Sequence, residues 1–506
     1  MTDYLIGIDM GTGSTKGVLA TATGEILASA VRAHGMSLPR PSWAEVDAEI
    51  VWWQDFVEVC RELTAAAANL APHGGGQAAI RGLCVSGVGP CLLLCDDNLN
   101  PTRPAILYGV DGRATVEIQE LTDEFGAEQI LARGGTALST QAVGPKVRWV
   151  QRHEPDVWAR SARWYNSNSF VVARLTGEYV LDHHTASQCD PMYDMAASGW
   201  YEPWVEAIMD GMPMPRLAWP SEVVGSVTVA AAQATGLPVG TPVSIGTVDA
   251  WAEAFSAGVR HPGDLMLMYG STMFFVQVLN TLRSHPMLWT TAGVEPGSHT
   301  LAAGMSTSGS LTGWLQQLTG GAPFADLMAE AAQTPPGADG LLILPYFAGE
   351  RTPIFDTRAR GVIAGLTLRH GRGHLFRAVY EGIAFGIRQI VELLDQPDDP
   401  IRRLVAVGGG TQGGLWTQIV SDVTGRDQVV PAQTIGASYG DALLAAIGTG
   451  LVPPDTDWAS EGILVTPNPA TAELYDGLFE CYTSLYPATR DQVHHLAALQ
   501  ERGANP

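Results

Sequence analysis

Tyr4–Ile8 is apolar, residues 9–16 are small and polar, and Gly17–Ala20 is apolar again. This alternation predicts a strand, a tight turn and a second strand. Thr23-Gly24-Glu25 then predicts a hairpin into a third strand at Ile26–Ala30. Apolar residues at helical spacing predict a helix over Ala48–Ala68. The β-like run Ile80–Val85 ends in Ser86-Gly87-Val88-Gly89-Pro90. A similar plan restarts near residue 242. Pro242–Val248 reads as a strand, Asp249 to Ala257 as a helix, and Leu265–Met268 as a strand running into Gly270-Ser271-Thr272. Leu404–Val407 reads as a strand before Gly408-Gly409-Gly410, with a helix from about Leu415. Gly436–Ile447 reads as a small-residue helix and Ala470–Leu499 as a closing helical region, both assigned to the second half. The restart predicts a duplicated α/β architecture divided within Pro238–Pro242, giving domains 1–241 and 242–506.

Composition narrows the class. Of 506 residues, 46% are hydrophobic and 16% charged, enough apolar material for two large cores. The 57 glycines and 32 prolines are scattered between periodic segments and read as turns. A net charge of −23 without a basic patch argues against nucleic acid or an anionic membrane as partner. No run of about 18 apolar residues suggests a membrane span. Six cysteines in so long a chain do not make a disulfide framework, and Cys91 and Cys95 sit in an apolar run without a His or Cys cluster. These features lead to the expectation of a cytoplasmic protein.

The chemistry begins at Asp9-Met10-Gly11-Thr12-Gly13-Ser14-Thr15-Lys16. Glycines admit a phosphate to backbone N–H groups, hydroxyls add donors, and lysine adds a compact positive charge. Lys16 is one of only two lysines, with Lys146. Asp9, at a strand end, is a candidate Mg²⁺ ligand through water. The stretch also reads as a plain polar hairpin. It lacks the P-loop spacing, and it leads into a strand where a dinucleotide fingerprint would lead into a helix. Asp249 follows an apolar run and starts a helix. It fits either an N-cap or the carboxylate that accepts a hydroxyl proton during phosphoryl transfer. Gly270-Ser271-Thr272 and Gly408-Gly409-Gly410-Thr411 are further candidate phosphate turns.

These motifs, in this order, resemble the FGGY carbohydrate kinases. The most specific match is Gly361-x-Ile363-x-Gly365-Leu366, seven residues, His374-Leu375, two residues, and Ala378-Val379-Tyr380-Glu381. Trp43-Ala44-Glu45 with Trp52-Trp53, Asp111-Gly112-Arg113, Glu350-Arg351-Thr352-Pro353 and Gly408 to Trp416 extend it over nearly the whole chain. A second signature keeps Lys146 and Trp149 but departs at Gln141 and Val143. The resemblance implies two actin-like, ribonuclease-H-like domains with an interdomain cleft, and ATP with Mg²⁺ as cofactors. It implies Asp249 as catalytic base, and Asp9 on the metal. It places Gly11, Thr12, Ser14, Thr15, Lys16, Gly270, Ser271 and Thr272 on the phosphates, and Gly309, Gly409, Gly410 and Thr411 on the nucleotide side. Gly89, Pro90, Asp111, Gln141 and Asp249 are expected on the sugar side. A homodimer has precedent in the family.

Within the family, the chain looks most like the xylulose kinase branch, notably over 349–388. That branch typically carries a Gln-Met-His-Gly segment whose histidine contacts the sugar; here the segment is Val88-Gly89-Pro90-Cys91. Ala250 stands where Asn or Gln is common. Losing two polar contacts alters sugar choice, because a buried hydroxyl without a partner is costly. D-xylulose leads, with ribulose, a tetrose, a pentitol or a sugar acid still open. A non-catalytic actin-like ATP-binding protein is the competing class.

Overall fold

The structure, a computed structural model, describes residues 3–70, 79–432, 435–459 and 461–504. Two compact units emerge. The first comprises Met1–Arg260, Thr281–Thr300 and Ile435–Ala459, and the second His261–Asn280, Leu301–Thr434 and Ser460–Pro506. The division expected at 241/242 thus falls inside the first unit. The reason is local: Val243 and Ser244 pair in parallel with Leu83 and Cys84, so this strand completes the first sheet instead of opening a second. The helix Ala437–Gly448, assigned by sequence order to the second half, also belongs to the first unit.

The first unit is built on a six-stranded sheet. Its order is Val223–Ser226, Pro242–Ser244, Ala79–Gly87, Asp3–Met10, Ser14–Thr21, Ile26–Ala33. The last three form an antiparallel meander, and Asp3–Met10 runs parallel to Ala79–Gly87. The second unit repeats this plan. Asp264–Tyr269 pairs antiparallel with Met273–Leu279 and parallel with Arg403–Val407, which runs parallel to Gln428–Pro431.

Alternation along Asp3–Met10 decides what each face does. Ile6, Ile8 and Met10 enter one core with Phe56, Leu63 and Phe170. Leu5 enters another with Val18, Phe255, Leu443 and Leu444, and Gly7 and Asp9 share its face. Each such side chain contributes about 1.5–3 kcal/mol when fully buried. The helix Ala437–Gly448 lies directly on this face: a Cβ on Gly7 would stand 1.9 Å from the Ser438 carbonyl oxygen and 2.4 Å from the Ala442 nitrogen. Gly440 plays the same part toward the helix Asp249–Ser256, where a Cβ would come 2.0 Å from the Ala252 carbonyl oxygen.

The apolar run expected as a strand to Val248 is shorter, Pro242–Ser244 with one further bridge at Val248. Gly246, at φ +69 and with its Cβ position 1.9 Å from the Val85 oxygen, turns the chain toward Asp249. The helix expected over Ala48–Ala68 is a π-helical turn, Ala48–Gln54, running into the α-helix Asp55–Leu70.

Gly7→Ala should destabilise the protein by roughly 1–3 kcal/mol, because backbone has to move to admit one methyl. Chemical denaturation measures this, and an unchanged midpoint would refute the close approach.

Candidate functional site

Residues 11–13 form the tight link of a β-hairpin, closed by the Gly11 amide donating to the Ser14 carbonyl at 3.0 Å. Asp9 pairs directly with Lys16, so the two share the face covered by Ala437–Gly448. Thr15 pairs with Met10 and faces the opposite core, fully buried. This corrects the expectation for Thr15: the period of two separates its hydroxyl from Ser14 and Lys16. The Thr12 hydroxyl is hydrogen-bonded to the Tyr108 hydroxyl at 2.9 Å.

Asp9 lies among carboxylates. Burial, followed by the charges of Asp249, Asp441 and Glu253, raises its proton affinity well above the ordinary range, and Lys16 opposes this. Its Oδ1 is buried without a hydrogen-bond partner. Asp249 is half-buried at the first turn of its helix and accepts from the Ala250 amide at 2.7 Å. Burial raises its pKa, with that amide and Lys16 pulling the other way. Glu253, four residues on and on the same helical face, is pushed up to about 7 by burial and then by Asp249. Asp441 is fully buried, accepts from the Ser86 hydroxyl at 2.6 Å and amide at 3.2 Å, and is raised well above its usual range by burial.

Sequence reasoning missed Glu253 and Asp441. The signals were present: Glu253 follows Asp249 by one helical turn, and Asp441 is the only charge in ASYGDALLAAIG. Among the described residues, no three His, Cys, Asp or Glu side chains converge as a closed metal cage. The arrangement instead suits a cation that keeps its waters and is shared with phosphates, as Mg²⁺ is.

The residues expected on the sugar side divide. The Cβ position of Gly89 is 3.0 Å from Val248 Cγ2, which sets the Gly89-Pro90 segment beside the residue preceding Asp249. Asn166 supports this segment by accepting from the Cys91 amide at 2.8 Å. Gln141 is half-buried, and its Oε1 accepts from the Gly109 amide at 2.8 Å. Lys146 is almost fully buried, donates to the Thr140 and Gln141 carbonyls at 2.7 and 3.3 Å, and is lowered to about 8 by burial. It therefore braces the Gln141 loop. Asp111 needs correction: its side chain is closed to solvent, and it accepts from the Ala44 amide at 2.7 Å and from the Arg113 guanidinium at 2.7–3.1 Å. With these partners it locks two segments together and has no free face for a ligand.

The second unit gathers the remaining turns. The Gly309 amide donates to the Gly270 carbonyl at 3.0 Å, and the Ser308 and Ser310 amides to the Ser271 carbonyl at 3.1 Å. Ser271 and Thr272 are exposed, and Thr307 and Ser308 carry buried hydroxyls without partners. Gly408, at φ +92, has its Cβ position 2.7 Å from the Tyr269 oxygen, which brings Gly409–Thr411 beside the same turn. Open space surrounds the Cβ position of Gly409.

Family models match both parts of the chain. The N-terminal domain of the FGGY family of carbohydrate kinases matches residues 4–256 and its C-terminal domain residues 265–449. The chain belongs to the FGGY family of carbohydrate kinases. It is 27% identical over 511 residues to a xylulose kinase of Lactococcus lactis, covering 99% of this chain and 100% of the relative. It is 30% identical over 446 residues to a xylulose kinase of Klebsiella pneumoniae, covering 87% and 89%. The crystal structure of xylulose kinase from Rhodospirillum rubrum superposes with a TM-score of 0.88 at 36% identity, covering 97% of this chain and 100% of that one. The protein is thus a sugar kinase with the two-domain FGGY fold. Among the described residues, no helix of this kinase is long and apolar enough to cross a membrane.

The raised pKa of Glu253 gives this kinase a pH signature. Its folded form holds the proton up to about pH 7, whereas the unfolded form releases it near pH 4.5. Between these values the native state binds more protons, so stability falls as pH rises and then levels off. Glu253→Gln should lose less stability than the wild type across this window in denaturation at stepped pH; parallel curves would contradict the assignment.

Proposed function

We propose that this kinase transfers the γ-phosphoryl group of ATP to a hydroxyl of a small sugar, with a ketopentose such as D-xylulose the leading substrate. The likeness to xylulose kinases of three organisms supports the sugar class. The observation that carries the mechanism is Asp249. It is a carboxylate of raised proton affinity at a helix start, next to the Gly89-Pro90 segment and within the field of Asp9 and Lys16.

In this reading Asp249 orients the sugar hydroxyl and accepts its proton. The hydroxyl oxygen forms a bond to the γ-phosphorus while the bond to the β–γ bridging oxygen breaks, and ADP leaves. Thr12, Ser14 and Lys16 hold phosphate oxygens from the hairpin. In the second unit, the exposed Ser271 and Thr272 are assigned to phosphate binding, with Gly409, Gly410 and Thr411 toward the adenosine. Asp9, whose Oδ1 is buried without a partner, would hold Mg²⁺ through its waters. Bound Mg²⁺ supplies charge neutralisation on the phosphates. Gln141 offers the sugar an amide, and the buried Gly89-Pro90 segment presents it no polar side chain.

Asp249→Asn should lower kcat on the order of 10²–10⁴-fold while leaving ATP affinity nearly unchanged, because general-base loss is a transition-state effect. Steady-state kinetics and calorimetric ATP titration test this; near-normal kcat would remove Asp249 from the role. An ADP-release screen over ketoses, aldoses, polyols and sugar acids should rank D-xylulose first. Faster turnover of a polyol or sugar acid would move the substrate assignment.

A further inference from the structure

His34 follows the third strand of the first unit and reaches back to the hairpin that carries Thr12, Ser14 and Lys16. Its Nε2 lies 2.9 Å from the Gly11 carbonyl oxygen and its Nδ1 2.9 Å from Asp55 Oδ2. Its own amide donates to the Gly13 carbonyl at 3.1 Å. The side chain is only 8% exposed, and Asp55 begins the α-helix Asp55–Leu70, itself packed in the core through Phe56 and Leu63.

The polarity of these contacts is informative. A carbonyl oxygen only accepts, and an ionised carboxylate only accepts. Nε2 therefore donates to the Gly11 carbonyl. The contact with Asp55 fixes the ring, and the ring fixes the Gly11 carbonyl. In a trans peptide the carbonyl and the following N–H point in opposite directions. Holding the Gly11 oxygen toward His34 therefore turns the Thr12 N–H away from it, while Tyr108 secures the Thr12 hydroxyl.

We propose that His34, anchored by Asp55, is a positioning residue for the phosphate hairpin: it sets the Gly11–Thr12 peptide so that the Thr12 N–H is ready to donate to a nucleotide phosphate. This rests on the hairpin holding phosphate, as set out above. His34 touches no substrate. Its effect passes through the backbone, as pre-organisation that ATP would otherwise supply on binding. Arg32, two residues earlier, is occupied by Glu58 and Glu62 of the same helix at 2.7 and 3.0 Å, so it does not substitute for the ring.

The test uses the full-length enzyme and its best sugar. His34→Ala should raise KM for ATP roughly tenfold, the worth of one net hydrogen bond of about 1.4 kcal/mol, with KM for the sugar within about twofold. His34→Gln, whose amide still donates to the Gly11 carbonyl, should recover most of the loss. Lys16→Ala serves as the reference and should also raise KM for ATP. If Lys16→Ala does so and His34→Ala does not, the positioning role is overturned while the phosphate hairpin stands. If neither does, both fall. An equal rise in KM for both substrates, or a Gln variant no better than Ala, also overturns it. Thermal unfolding without ligand identifies a misfolded Ala variant, in which case the Gln variant against wild type carries the comparison.

Discussion

Like charges held close together in the first unit are the constraint on which the rest depends. Beyond burial, Asp249, Asp441 and Glu253 raise the proton affinity of Asp9, Asp249 raises that of Glu253 and Asp441, and Lys16 opposes the rise at Asp9, Asp249 and Glu253. Such a cluster opposes folding, because each carboxylate loses water and meets its own sign. The apolar packing of Leu5, Val18, Phe255, Leu443 and Leu444 offsets that cost. Glycines allow it geometrically: Gly7 and Gly440 let a helix approach both the strand of Asp9 and the helix of Asp249 at backbone contact. In the proposed reading the field that weakens the protein without ligand is the one that attracts a cation, while burial raises the basicity of Asp249.

Much of this was legible along the chain. The strand–turn–strand of residues 4–20, the helix at Asp249 and the glycine turns at 270 and 408 follow local rules of spacing and turn chemistry. What stayed hidden depends on contacts far apart in sequence. The helix Ala437–Gly448 carries no local mark of belonging to the first sheet, so Asp441 passed as one polar residue in a small-residue helix. Thr15 was misjudged because a motif read as a string ignores which face of the hairpin each residue occupies. Asp111 was misjudged because its partner Ala44 becomes visible only when two segments fold together, closing a carboxylate that its neighbour Arg113 already pairs.

The proposed sugar side differs in kind. Backbone and buried charge build it indirectly: Lys146 holds the carbonyls of the Gln141 loop, and Asn166 holds the segment after Gly89-Pro90. Family membership determines the reaction type, whereas in the proposed reading these supports shape which hydroxyl pattern fits.

The most direct test of the account is the thermal stability of wild type and Asp9→Asn at about pH 7.5, each with and without Mg²⁺·ATP. If the carboxylate cluster is the cation-attracting centre, Asp9→Asn is the more stable protein without ligand, since one repelling charge is gone. It then gains much less from Mg²⁺·ATP than the wild type does. Equal stability without ligand, together with equal gains on adding it, would contradict the account.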